Sequence, residues 1–252
     1  MVHRARAAHV ASSLSVVDIL AVLYGEVLRH RPHDPGWDGR DRLILSKGHA
    51  AAAGYAALAR AGYFPPELLA GYCANDSPLA GHLTASSEAP GVEMSTGSLG
   101  HGLSVGAGMA LHASRTGAIY RVFVVLSDGE CDEGSTWEAA LFSAHHHLVN
   151  LCAVIDYNRI QSFGRVEDVL GLEPFADKWR AFGWDVQEVD GHDHGALRTV
   201  LGTTHPTKPR MIIAHTVKGK GVSFMEDDLL WHYRNPDDEQ LAKALAEVRG
   251  LS

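Results

Sequence analysis

Two short polar turns in this 252-residue chain carry residue types suited to holding a hard cation: Ser127-Asp128-Gly129-Glu130 and Asp156-Tyr157-Asn158. A hard divalent ion such as Mg²⁺ takes oxygen ligands and keeps phosphate oxygens in its shell. Asp128 offers a charged carboxylate and Asn158 a neutral amide oxygen, while Gly129 lets the backbone approach closely at its turn. Amides at the start of a following helix are natural donors to phosphate. Together the residues describe a divalent metal carrying a diphosphate. Each turn taken singly is also what an ordinary Asp-Gly or Asn-containing loop looks like.

The elements that must position these turns are legible on either side. Val122-Phe123-Val124-Val125-Leu126 reads as a strand buried on both faces of a parallel sheet. From Glu133 onward Trp137, Ala140, Leu141, Ala144 and Leu148 are spaced as one face of an amphipathic helix. Leu151-Cys152-Ala153-Val154-Ile155 repeats the buried-strand pattern. Asp128 and Asn158 therefore fall just beyond the carboxyl ends of strands, the edge where doubly wound sheets bind ligands. Val186 to Val189 and Met211 to Thr216 are further strand candidates. Leu14 to Leu28 reads as a helix closed by Pro32 and Pro35, and Lys243 to Val248 as a final short helix. The alternation predicts an α/β fold, three layers α/β/α around a mostly parallel sheet. With 46% hydrophobic residues and no linker-like stretch, residues 1–252 are expected to form a single domain.

A formal charge of −8 argues against nucleic acid as a partner, because phosphate backbones are held by clustered cations. Lys218 and Lys220 alternate with glycines in one short loop and make no basic patch. Cys73, Cys131 and Cys152 have no paired spacing, so neither a disulfide framework nor a zinc site is expected, and a reducing cytoplasm fits. No secretory leader and no apolar run long enough to cross a bilayer is expected either. Of the 16 histidines, His145, His146 and His147 would point in different directions on a helix, which suits surface or packing roles rather than a shared metal.

The stretch from Ser127 through Trp137-Glu138-Ala139, together with Asn158, resembles the thiamine diphosphate fingerprint of transketolases. Further segments are similar: Arg40-Asp41-Arg42, Leu45-Ser46-Lys47-Gly48-His49-Ala50, Gly81-His82, Gly91 to Gly100, Ala181-Phe182-Gly183-Trp184, Thr216 to Met225, and Trp231-His232. The resemblance implies a thiamine diphosphate-binding fold with Mg²⁺ or Ca²⁺ held by Asp128, Asn158 and the Ile160 carbonyl. It implies His49 and His232 as donors to the diphosphate beside Gly129, and a loop of Gly97, Leu99 and Gly100 meeting the cofactor rings. His9 and His82 would line the substrate channel and assist proton transfer. Glu133 would be a buried relay acid near a subunit interface, or simply a first-turn carboxylate favoured by the helix dipole.

The resemblance also implies half an enzyme. The pyrimidine-binding, carboxy-terminal subunit of a split transketolase would be a separate partner chain, in a heterotetramer, and would carry the glutamate that activates the cofactor. The expected activity is transfer of a two-carbon ketol unit from a ketose, often a sugar phosphate, to an aldose acceptor. Two alternatives stand beside it: the alpha subunit of a thiamine diphosphate-dependent 2-oxo acid dehydrogenase, and a degenerate non-catalytic partner subunit. Three departures from the family pattern bear on substrate identity. Ser127 stands where glycine is usual, His101 where glutamine is common, and Gly81-His82-Leu83-Thr84 lacks the common proline.

Overall fold

The apolar runs do form the centre of the protein, in a computed structural model that describes residues 1–86 and 88–250. Strands β1 (Arg42–Leu45), β2 (Val122–Ser127), β3 (Leu151–Tyr157), β4 (Asp185–Asp190) and β5 (Arg210–His215) pair in parallel, in the order β1-β2-β3-β5-β4. β2 and β3 are buried throughout except at Ser127, as strands covered on both faces must be. The register sets Ser127 beside Asp156 and Asp156 beside Ala214, so the carboxyl ends of three central strands lie level.

The helices are α1 (Val2–Ala5), α2 (Val10–Val22), α3 (Ala51–Arg60), α4 (Gly102–Thr116), α5 (Gly134–His145), α6 (Val166–Val169), α7 (Phe175–Ala181), α8 (His194–Gly202) and α9 (Asp238–Val248). Along β1 and β2 successive side chains go to opposite faces. Leu43, Leu45, Phe123 and Val125 pack under α2, α3 and α8, whereas Ile44, Val122 and Val124 pack under α4, with α5 and α7 on the same side. The result is the expected α/β/α sandwich.

Several boundaries differ from the sequence reading. The amino-terminal helix begins at Val10, not Leu14, and α2 continues into one π turn, Leu23–Val27; Leu28 is already extended, so the chain leaves the helix before either proline. Together these 18 residues, Val10–Val27, are long and apolar enough to cross a membrane by length and composition, contrary to the expectation that no such run exists. Here they form a core helix, with Val16, Ile19, Leu20 and Leu23 all 0% exposed. The final helix starts five residues earlier than its apolar pattern, at Asp238, because Asp237 and Gln240 form a capping box. Within α5 the buried stripe is Thr136, Ala139, Ala140 and Ser143; Leu141 is exposed and Leu148 lies beyond the helix end. β1 and α4 carry no clear periodic signal.

α4 is glycine-rich because it lies against the sheet. A Cβ on Gly102 would collide with Ser46 Oγ, and one on Gly106 would fall 2.5 Å from Val124 Cγ2. Ala is ordinarily the better helix former by about 1 kcal/mol. At Gly106 the clash with a buried, stiff valine reverses that sign, so Gly106→Ala is expected to destabilise the chain by about 1–3 kcal/mol. Chemical denaturation checks this; a variant as stable as the parent would mean that α4 has room to shift.

Candidate active site

Four strand ends deliver the polar residues. β1 runs into Ser46-Lys47 and the turn Gly48–Ala50, β2 into Asp128 and the turn Gly129–Asp132, β3 into Asn158, and β5 into Thr216 to Lys218. They surround a cleft of about 290 Å³ at the carboxyl edge of the sheet, lined among others by Lys47, His49, Asp128, Asn158, Ile160 and His232.

Beneath the cleft lies a buried charge pair. Asp156, 0% exposed, takes the Lys47 ammonium and the Thr216 hydroxyl, and accepts from Ser15 Oγ at 2.6 Å. Burial pushes its carboxyl up, but Lys47 and the hydroxyl donors outweigh burial and hold it below the usual carboxylate range. Asp128 is also buried but makes no ion pair among the described residues. Its Oδ1 and Oδ2 accept backbone N–H groups of Gly129 and Arg159, both at 2.7 Å. Burial pushes its carboxyl up to about 6, with Lys47 opposing the rise and Asp156 adding to it.

Lys218 is buried and makes no ion pair among the described residues. It donates to the Ile160 carbonyl at 2.7 Å and to His232 Nδ1 at 2.8 Å, and burial lowers it to about 7. When protonated, Lys218 can only donate, and His232 then accepts at Nδ1 and carries its hydrogen on Nε2. The Asn158 amide oxygen accepts from Ile160 N–H at 3.1 Å.

The four histidines singled out from the sequence converge. Ring centroids of His9 lie 4.9 Å from both His49 and His232 and 6.1 Å from His82; His49 and His82 are 5.2 Å apart. Burial lowers His9 and His49 to about 4 and His232 to about 3, so these rings are neutral at pH 7. His9 sits before α2 in a left-handed backbone conformation, φ 72°, and its N–H donates to the His232 carbonyl at 3.0 Å. Strained backbone of this kind collects where a site is being shaped.

The remaining candidates divide. Leu99 and Gly129 line the cleft. Gly97, at φ 136°, packs so close to the His82 ring that a Cβ would fall 2.8 Å from it. Gly100 is an anchor, donating its N–H to Glu130 Oε1 at 3.0 Å and accepting from Ser135 Oγ at 2.8 Å. Glu133 is not buried in this chain. It is exposed at the rim of the cleft, just before α5, with its backbone extended. The buried acid of that turn is Glu130, 0% exposed, which also receives the Ser46 hydroxyl and so joins the loops after β1, after β2 and before α4.

The motifs gave no role to Ser12, Lys47, Lys218 or Gln161, all of which line the cleft. Ser12 had a signal, since it follows His9 by one helical turn; the lysines lie inside the transketolase-like segments, where nothing in their own type marks them as buried. Of the family departures, Ser127 Oγ accepts Glu130 N–H at 3.2 Å and completes the turn, and His101 is exposed with Nδ1 2.9 Å from the Leu99 carbonyl. His145 ends α5 while His146 and His147 lie in the turn beyond it, outside the cleft.

The donor chemistry defines a class. Carboxylate, amide and carbonyl oxygens suit a hard divalent ion, and two buried ammoniums with neutral imidazoles suit the oxygens of a diphosphate, at the ligand edge of a parallel α/β sheet. The sequence matches the family described as "Transketolase, thiamine diphosphate binding domain" over residues 1–244, and the chain belongs to that family. It is 42% identical over 250 residues to an apulose-4-phosphate transketolase subunit of Phocaeicola vulgatus, covering 98% of this chain and 88% of that one. It is 43% identical over 242 residues to a 6-deoxy-6-sulfo-D-fructose transketolase subunit of a Clostridium species, covering 95% of this chain and 88% of that one. Among solved structures, transketolase from Campylobacter jejuni superposes with a TM-score of 0.92 at 30% identity; the match covers 99% of this chain but 40% of the solved one.

Proposed function

We propose that this chain is the diphosphate-binding subunit of a two-chain transketolase, moving a two-carbon ketol unit from a ketose donor to an aldose acceptor once joined to a pyrimidine-binding subunit in a heterotetramer. The observation that carries the reading is the convergence of Asp128, Asn158 and Ile160 with His9, His49, His82 and His232 at one strand edge. The need for a partner is supported by the relatives called subunits, which this chain nearly spans.

Asp128, Asn158 and the Ile160 carbonyl would hold Mg²⁺ or Ca²⁺. His49, His232 Nε2–H, Lys47 and Lys218 would meet the diphosphate beside the Gly129 turn, and Gly97, Leu99 and Gly100 would form the loop next to the cofactor rings. Thiamine diphosphate, when bound, supplies the carbon nucleophile and the electron sink. His9 and His82 would bind the donor's hydroxyl and carbonyl oxygens and move protons among them. The exposed Glu133 would meet the partner subunit. One relative's name carries a phosphate and the other a sulfo group, so the donor is taken to be a ketose with an anionic far end. Free Cys73, Cys131 and Cys152 support a cytoplasmic setting.

The test is native mass spectrometry of the complex purified with thiamine diphosphate and Mg²⁺, followed by assay of glycolaldehyde transfer against 2-oxo acid decarboxylation. Cofactor-bound hetero-oligomer with ketol transfer is expected. Decarboxylation of 2-oxo acids alone would overturn the assignment.

A further inference from the structure

His9, His49 and His82 each offer a ring nitrogen, and these atoms all lie within 4.8 Å of one another. Among the described residues His9 Nδ1 is buried without a hydrogen-bond partner. His192, His194 and His215, by contrast, have their rings tied to carboxylates. We propose that His9, His49 and His82 form a second metal site, selective for a late first-row divalent cation such as Zn²⁺ and separate from the oxygen site of Asp128, Asn158 and Ile160.

The ligand chemistry separates the two. Imidazole nitrogen suits zinc, whereas Mg²⁺ takes oxygen. Zinc–nitrogen bonds of about 2.0–2.1 Å in a tetrahedral site set ligand nitrogens about 3.4 Å apart, so the three rings need to close by at most about 1.4 Å, shared among the three side chains. His232 is withheld from the set, because its Nδ1 is taken by Lys218 at 2.8 Å. Three protein ligands leave a fourth position open, as in zinc sites that exchange a bound molecule. The nearby Lys47 and Lys218 ammoniums repel a dication and keep the site exchangeable rather than permanent. An ion held here occupies His9 and His82, assigned to the substrate channel, and His49, assigned to the diphosphate, so zinc inhibits by competing with both ketose and cofactor; this last step rests on the ketol-transfer reading, and the binding does not.

The experiment titrates the untagged, metal-free full chain with Zn²⁺ by calorimetry, with and without excess Mg²⁺, and records X-ray absorption at the zinc edge. Expected are one zinc per chain, three imidazole nitrogens at about 2.0–2.1 Å, and no displacement by Mg²⁺. His82→Gln and His9→Gln should each weaken binding by about tenfold or more, and His146→Gln should leave it unchanged. No saturable zinc binding, an oxygen-only shell, or loss caused by His146→Gln overturns the proposal. The absorption spectrum of the unsubstituted chain decides even if a variant fails to fold, and none of these readouts depends on transferase activity.

Discussion

On the proposed function, Asp128→Ala is expected to remove cation and thiamine diphosphate binding and to lower ketol transfer by the assembled complex about a thousandfold or more, since losing a cation's carboxylate ligand forfeits several kcal/mol. The argument begins with the carboxyl itself, which is buried, bonded to two backbone amides, and in no ion pair among the described residues. Such a group is costly when charged, and its rise from 3.8 to about 6 records that cost. The sign on stability follows. In the folded chain Asp128 keeps a proton that the unfolded chain releases near 3.8, so its contribution is full below about 4 and lost as pH rises through about 6. Asp128→Asn removes that pH dependence and retains one amide partner. Thermal melts of the cofactor-free chain should therefore show Asp128→Asn gaining on the parent between pH 4 and pH 7 by about 2–3 kcal/mol, while calorimetry shows that it no longer takes up Mg²⁺ with thiamine diphosphate. A variant that binds cofactor like the parent would place the cation elsewhere.

How much of this was legible depended on what each residue's chemistry leaves in a sequence. β2 and β3 were readable because strands covered on both faces must be apolar without interruption. β1 is four residues long and opens on Arg42, which removes that signal. α4 was hidden by Gly102 and Gly106, residues that weaken a helix in isolation and are present because the sheet leaves no room for a Cβ. Asp128 and Asn158 announced themselves through their place after strands. The meeting of His9, His49, His82 and His232 did not, because they are far apart in sequence and only resemblance grouped them. Lys47 and Lys218 carry no mark in the sequence because lysine is ordinarily a surface residue; only the fold buries them. Glu130 and Glu133 share one acidic turn, and which of them faces inward is decided by the direction of that turn rather than by residue type.

Lys47→Met is expected to cost about 3–5 kcal/mol of stability, the range for removing one partner of a buried ion pair. Asp156 is 0% exposed, so without Lys47 it retains only Ser15 Oγ at 2.6 Å and the Thr216 hydroxyl as close donors, with Asn158 Nδ2 at 3.5 Å too distant to replace them. The deficit should shrink as pH falls, because an uncompensated Asp156 protonates readily. In the parent the carboxyl lies below its ordinary value, and its stabilisation is present above that value and lost on acidification. Lys47→Met combined with Asp156→Asn should recover most of the loss, since the harm comes from the stranded charge rather than from the missing pair. In chemical denaturation, a double variant no more stable than Lys47→Met would refute that account. The same pair reaches into function through its connections. Ser15 belongs to α2, which begins beside His9; Lys47 precedes His49; Asp156 precedes Asn158; and Thr216 precedes Lys218. One buried carboxylate thus holds four chain segments in register beneath the cleft. The single variant should accordingly bind thiamine diphosphate more weakly even at temperatures where it remains folded.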